Sequence, residues 1–398
     1  MVKYYYRGMM FSGSEFVEDA AIVFDAQSGL IEAAGSAIEV EKPAGATDLS
    51  ATGSTILPGL VDAHLHFFGT KKFDTMEFIS TPVVTAALRS VNDLRKLLFA
   101  GFTAVRDLGS KVAPFLRKAV DEGTIIGPTI VASGKSLAQT GGDDDMTRLP
   151  LNVSKQLSYS LYCDGIDGCR KAVRLVARDG ANVVKVYASG SLDQAMDEGT
   201  KIQRQFSVDE LKVIVEEAHA MNLKVAAHCY FTEAMTNALD AGVDSIEHGV
   251  GLTTELAARI AKQGVFYVPT GSVYEPLFPR LKPEQREMLK RHIKDEILLA
   301  ASQNVKIAMG TDFSGTEQFL HGQNYKEIVL LSNVLGSRAA LEASTKTGSS
   351  CLGLAHSGVI KSGMTADLII VNGNPSRDVE SLNPGNVLTV VQGGVIRK

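Results

Sequence analysis

ILPGLVDAHLH, residues 56–66, marks the point where the chain changes rhythm. Before it, residues 1–57 run in short alternating segments such as AAIVFDA and LIEAAG with turn residues between them, the pattern of strands and hairpins. After it, short apolar strands alternate with amphipathic helical stretches. The strands read ILPGLVDAHLH, TAVRDL (103–108), TIVASG (129–134), NVVKVYAS (182–189), KVAAHC (224–229), SIEHG (245–249), VFYVPT (265–270) and KIAMGTD (306–312). Helices are expected between most of them, for example over 208–222 and 253–264. Strands joined by helices predict a parallel sheet, and eight is the number that closes a (β/α)8 TIM-like barrel.

The hairpin rhythm returns over 358–398, in ADLIIVNGNP and VLTVVQGGVIRK. Neither end is long enough to bury a core by itself. The two are therefore expected to pair into one small β-sandwich domain, 1–57 plus 358–398, beside a barrel over 58–357. Two stretches that follow strand C-terminal ends, 135–170 and 271–283, read as long loops, and barrel active sites are built at that end.

Bulk properties exclude several functions. The chain has 398 residues, 45% of them hydrophobic, and a formal charge of -5. That gives no basic footprint for nucleic acid and no polybasic membrane surface. MVKYYYRGMMFSG lacks the apolar core of a signal peptide, and no run approaches a membrane span. Cys163, Cys169, Cys229 and Cys351 form no CxxC pair, so reduced thiols in a cytoplasmic protein are expected.

Polar residues gather at the strand ends. His64 and His66 lie two apart on a strand and so share a face, which suits a metal that takes nitrogen ligands. His228, His248 and Asp312 end the fifth, sixth and eighth strands, and in a barrel all such ends converge on one mouth. His219 and His292 sit in charged helical segments and read as solvated, His356 as a turn residue, and His321 as a loop contact or a substrate contact. Lys185 is buried in an apolar strand, where Lys185, Tyr187 and Ser189 share one face. An ammonium there would be repelled by divalent metals. A neutral amine that has taken up CO2 becomes an anionic carbamate ligand and lowers the net charge. The competing reading is a lysine that snorkels to water.

Together LPGLVDAHLH, the lysine of KVYASG, His228 in AAHCY, His248 in IEHG and Asp312 in GTD resemble the amidohydrolase superfamily. AGFTAVRDLGS, AQTGG, EEAHAMNLKVAAHCY and HGQNYKEI resemble its imidazolonepropionase-related cluster, with Xaa-Pro dipeptidases (prolidases) and Xaa-Arg/Lys carboxypeptidases. The resemblance implies two divalent ions, zinc foremost. His64, His66 and Asp312 would hold the more buried ion, His228 and His248 the more exposed one, and carboxylated Lys185 both. A metal-bridging hydroxide would attack the carbonyl. Asp312 would act as general base and then acid, and Tyr230 as oxyanion donor. Relatives are often homo-oligomers. In the loop after strand three relatives often carry a histidine, thought to help hold the substrate carboxylate, where this chain has Asp143. An ionised aspartate cannot donate to a carboxylate, and Arg148 is the nearby substitute. Asp143, Asp144 and Asp145 read equally as a cation-preferring or a solvated loop.

The expected activity is hydrolysis of an amide in a small molecule, releasing a C-terminal amino acid from a dipeptide or N-acyl amino acid. Alternatives are hydrolysis of cyclic amides, lactones or phosphotriesters, and, from another class, a non-catalytic binding protein on the same barrel.

Overall fold

The computed structural model describes residues 2–192 and 204–398, without the side chains of Thr75 and Ile79. Both chain ends do meet in one sheet. Ser54–Pro58 pairs antiparallel with Leu368–Asn372, placing Ile56 opposite Ile370. Lys3–Phe11, Phe16–Asp25 and Ile31–Ser36 extend the sheet on one side, Val387–Gln392 and Val395–Ile396 on the other. Their inward residues, Tyr6, Ile22, Phe24, Ile56, Leu368 and Ile370 among them, form a core of their own.

The middle of the chain supplies parallel strands β1 (Leu60–Leu65), β2 (Phe102–Asp107), β3 (Thr129–Ala132), β4 (Val183–Tyr187), β5 (Lys224–Tyr230), β6 (Ser245–Val250), β7 (Phe266–Val268) and β8 (Lys306–Ile307). β1 to β3 form one sheet and β4 to β8 another, each in sequence order. Backbone contacts run between the two. Asn182 donates to the Ala132 carbonyl at 2.9 Å, and beyond β8, Thr311 donates to the His64 carbonyl at 3.0 Å. The predicted helix at 208–222 forms over Val208–Ala220, closed at its start by a Ser207–Glu210 capping box. That at 253–264 forms over Thr254–Gln263 and stops at Gly264, whose φ of 70° suits glycine. No helix among the described residues is long and apolar enough to cross a membrane.

Three expectations need correction. The eighth strand is shorter than KIAMGTD: regular pairing ends at Ile307. Beyond it the chain is held against β1, where the Thr311 N–H is shared between the His64 carbonyl (3.0 Å) and the Asp62 carboxylate (3.1 Å) and the Thr311 hydroxyl donates to Asp62 (2.7 Å). Gly310 is needed there, since a Cβ would lie 2.8 Å from the His64 Cβ. The stretch 135–170 is not an open loop, as it contains strands Ser136–Ala138 and Ser160–Tyr162 and helix Leu151–Leu157. Likewise 271–283 winds into short 3-10 turns over Gly271–Val273 and Glu275–Arg280. His292 is not solvated. It is fully buried, between Glu296 (3.0 Å) and the Pro269 carbonyl (3.0 Å).

Glu327 pins the turn after β7 by accepting from the Gly271 and Ser272 N–H groups at 3.0 and 2.6 Å. Burial pushes its carboxyl up from 4.5 to about 7. An acid raised in the folded state stabilises fully below its unfolded value and loses that contribution as pH rises through the folded one. Glu327→Gln should therefore remove a decline in unfolding free energy between pH 4.5 and 7, on the order of 3 kcal/mol. Urea melts of both proteins at pH 5 and 8 measure the change in slope. Equal slopes would show that Glu327 is ionised throughout.

Candidate metal centre

The strand ends named by the sequence meet in one cavity of about 580 Å³, lined by His64, His66, Lys185, His228, His248 and Asp312. The ligand atoms of His64, His248 and Asp312 lie within 4.8 Å of one another. Asp312 Oδ1 is 2.9 Å from His66 Nε2 and 3.4 Å from His64 Nε2. Lys185 Nζ is 3.5 Å from His64 Nε2. The His228 and His248 ring centroids are 4.5 Å apart.

Each imidazole is oriented by a contact through one nitrogen, which leaves the other available. His64 Nδ1 meets Glu247 Oε2 at 2.9 Å, and His66 Nδ1 meets the Gly109 carbonyl at 3.0 Å. His248 Nδ1 shares a hydrogen bond with the Thr270 hydroxyl at 2.7 Å, and His228 Nε2 faces the Gly190 carbonyl at 3.4 Å. Such outer contacts fix ring orientation and raise ligand basicity. Burial holds His64, His228 and His248 well below the usual imidazole range, in the neutral form that binds metal. For His66 burial pulls down, but the Asp312 carboxylate prevails and the net shift is upward. Burial would raise Asp312, yet the neighbouring imidazoles and Lys185 bring it below its ordinary value. Burial lowers Lys185, which is 1% exposed. Neutral imidazoles with a carboxylate are a fitting donor set for a divalent ion.

Two candidate ligands sit on unusual backbone. His248 has φ 65° and Asp312 φ 60°, and Thr270, which bonds to His248, is similar at 51°. A left-handed non-glycine residue costs roughly 1 to 3 kcal/mol and persists where its surroundings hold it. His248 lies within β6 where its pairing with β5 becomes irregular after Cys229, and Asp312 lies beyond β8, so simple strand alternation does not aim these two side chains.

Tyr230 lines the cavity. Its ring stacks on His248 at 5.4 Å and its hydroxyl is 3.0 Å from that of Tyr274. Arg148 is exposed at the cavity wall. The three aspartates are not a solvated loop. Asp143 is buried and accepts from the Ser191 N–H at 2.9 Å, and Asp145 from the Gly141 N–H (2.7 Å) and the Ser154 hydroxyl (2.8 Å). Asp144 accepts from the Tyr159 and Ser160 hydroxyls. His321 lies behind His66, 3.0 Å from its carbonyl, and is not among the cavity-lining residues.

Sequence reasoning missed the layer beneath. Arg106 is 1% exposed and Glu247 fully buried, and Arg106 Nη2 donates to Glu247 Oε1 at 2.7 Å. The guanidinium also donates to the Ala63 carbonyl (2.6 Å) and the Ser245 hydroxyl (3.1 Å). The signal was available: Arg106 in TAVRDL is as misplaced in an apolar strand as Lys185. Breaking a buried pair by removing one partner costs about 3–5 kcal/mol. Arg106→Met should lose that much in urea unfolding, and adding Glu247→Gln should recover part of it. A loss under about 1 kcal/mol would mean that the pair is relaxed by water.

Residues 55–397 match the amidohydrolase family. Ochratoxinase from Aspergillus niger is 30% identical over 429 aligned positions, covering 99% of this chain and 86% of that protein. Its crystal structure superposes with a TM-score of 0.89 at 28% identity, covering 100% of this chain and 96% of the other. A prolidase complexed with N-methylphosphonate-L-proline gives a TM-score of 0.88, and a Xaa-Pro dipeptidase with bound methionine gives 0.85. Each is 29% identical, with 100% of both chains covered. The likeness first seen in five short motifs thus extends over the whole chain, and the protein belongs to the amidohydrolase family, as a hydrolase acting on C–N bonds.

Proposed function

We propose that the protein is a binuclear metal-dependent amidase that frees a C-terminal amino acid from dipeptides or N-acyl amino acids. The observation that carries this reading is the convergence of four oriented imidazoles, Asp312 and Lys185 on one cavity. Two of the similar solved structures, by name a prolidase and a Xaa-Pro dipeptidase, hold an amino-acid moiety, which supports an amino-acid-releasing reaction.

In this reading His64, His66 and Asp312 would hold the more buried ion and His228 and His248 the more exposed one. Lys185 would contribute as a carbamate: its neutral amine would add to CO2 and lose a proton, giving an anionic oxygen ligand. When bound, two divalent ions, zinc foremost, supply a water of lowered pKa and polarise the scissile carbonyl. Asp312 takes the proton of the nucleophile and delivers it to the leaving amine. Tyr230 donates its hydroxyl to the developing oxyanion, oriented by Tyr274 at 3.0 Å. Phe68, Phe73, Phe78 and Tyr159 line the same cavity, where an apolar part of the substrate displaces water.

The proposed framework is a (β/α)8 barrel over 58–357 with a β-sandwich from 1–57 and 358–398; the backbone contacts of β1 with 309–313 and of β3 with Asn182 support its closure. Exposed Met76, Val83, Val84 and Leu88 support association into a homo-oligomer. Four buried cysteines, all unpaired, support a reducing, cytoplasmic setting.

A zinc-loaded preparation should release amino acids from members of a dipeptide and N-acyl amino acid library, detected by amine derivatisation. No release from any member overturns the substrate assignment. Lys185→Ala should lose most bound metal by elemental analysis, and added short carboxylates should restore part of the activity. Full metal and activity without added carboxylate would remove the bridging role.

A further inference from the structure

The charged side chains that line the cavity are nearly all committed to the protein itself. Asp74 caps the helix Thr75–Ser80, accepting from the Met76 and Glu77 N–H groups at 2.8 and 3.2 Å. Asp143, Asp144 and Asp145 hold the backbone and hydroxyl groups named above. Asp312 and Lys185 belong to the metal centre, and Arg148 is engaged by other residues. Arg280 differs. It lines the same cavity, is exposed, and makes no hydrogen bond or ion pair with the described residues. A cavity whose sequence is rich in aspartate therefore offers one uncommitted charge among the described residues, and that charge is positive.

Arg280 also stands on a firm mount. Its 3-10 turn, Glu275–Arg280, starts after Tyr274, whose hydroxyl is 3.0 Å from that of Tyr230 and 3.3 Å from His248 Nδ1. At the other end Arg286 donates to the Phe278 carbonyl at 3.1 Å and to the Leu281 carbonyl at 3.4 Å. Leu277 and Leu281 pack inward between these anchors. The guanidinium is thus carried by a segment keyed, through the residue that precedes it, to the candidate metal centre. Its planar fork matches a carboxylate through two parallel hydrogen bonds, which a lysine cannot reproduce.

Building on the reading that the enzyme frees a C-terminal amino acid, we infer that Arg280 is a specificity-determining residue that receives the free carboxylate of that amino acid. This assigns to the turn after β7 the task that the loop after β3, with Asp143 in place of a donor, does not perform.

The test is calorimetric binding of N-methylphosphonyl-L-leucine and of its carboxamide to the metal-loaded protein. Wild type should bind the carboxylate form at least about tenfold more tightly, the scale of a charge-assisted pair. Arg280→Met should bring the two within about twofold, and Arg280→Lys should retain only part of the preference. Metal content and circular dichroism verify each variant, and Arg280→Gln replaces Arg280→Met if the latter loses metal. A wild type that binds both forms alike, or neither, overturns the assignment, as does a variant that keeps the wild-type preference. An Arg280-dependent preference without hydrolysis of any library member counts against the proposed reaction and not against this residue.

Discussion

The site rests on one buried ion pair. Arg106 and Glu247 are sealed beneath the cavity, and a charge taken out of water costs several kcal/mol, roughly, unless it is fully paired. Each therefore dictates where the groups around it stand. The guanidinium holds the backbone of β1 at Ala63, and the carboxylate holds the ring of His64 from behind. Three strands that are distant in sequence, β1, β2 and β6, are locked together at the ends where the imidazoles emerge. The same contact that satisfies Glu247 also selects which nitrogen of His64 faces the cavity.

Asp62 solves a second problem of the same kind. Its two oxygens accept from the His64 N–H, both groups of Thr311 and the Asn324 amide. The chain beyond β8 is thereby drawn against β1 without a regular ladder, and the close passage at Gly310 leaves no room for a side chain. Freed from strand geometry, Asp312 adopts a left-handed backbone and turns its carboxylate toward His64 and His66. Its placement depends on a buried aspartate elsewhere, not on its own strand.

Much of this was legible in the residues. Alternation at the two ends announced a shared sheet, and the sheet runs through Ser54–Pro58 and Leu368–Asn372. A lysine in an apolar strand and histidines at strand ends announced a site, and all of them line one cavity. Of the two readings of the aspartates after β3 the solvated one misled, because consecutive acids look solvated when their donors are out of view. Ser191 and Ser154 supply those partners from other segments. His292 misled for the same reason: the flanking charges of RHIKDE point to solvent, while its partners, Glu296 and the Pro269 carbonyl, lie inward.

By itself the sequence determined the alternation of strands and helices along most of the chain and the residue types that gather at the strand ends, because periodicity and residue chemistry are local properties. Only the tertiary structure decided which charges are spent on the protein and which are left for a ligand. Asp143 and Arg280 have opposite signs and both face the cavity, yet Asp143 is tied to Ser191 while Arg280 pairs with no described residue. Pairing depends on distance through space: Arg106 in an apolar strand calls for a partner, but the neighbouring residues do not say that the partner is Glu247, 141 residues away.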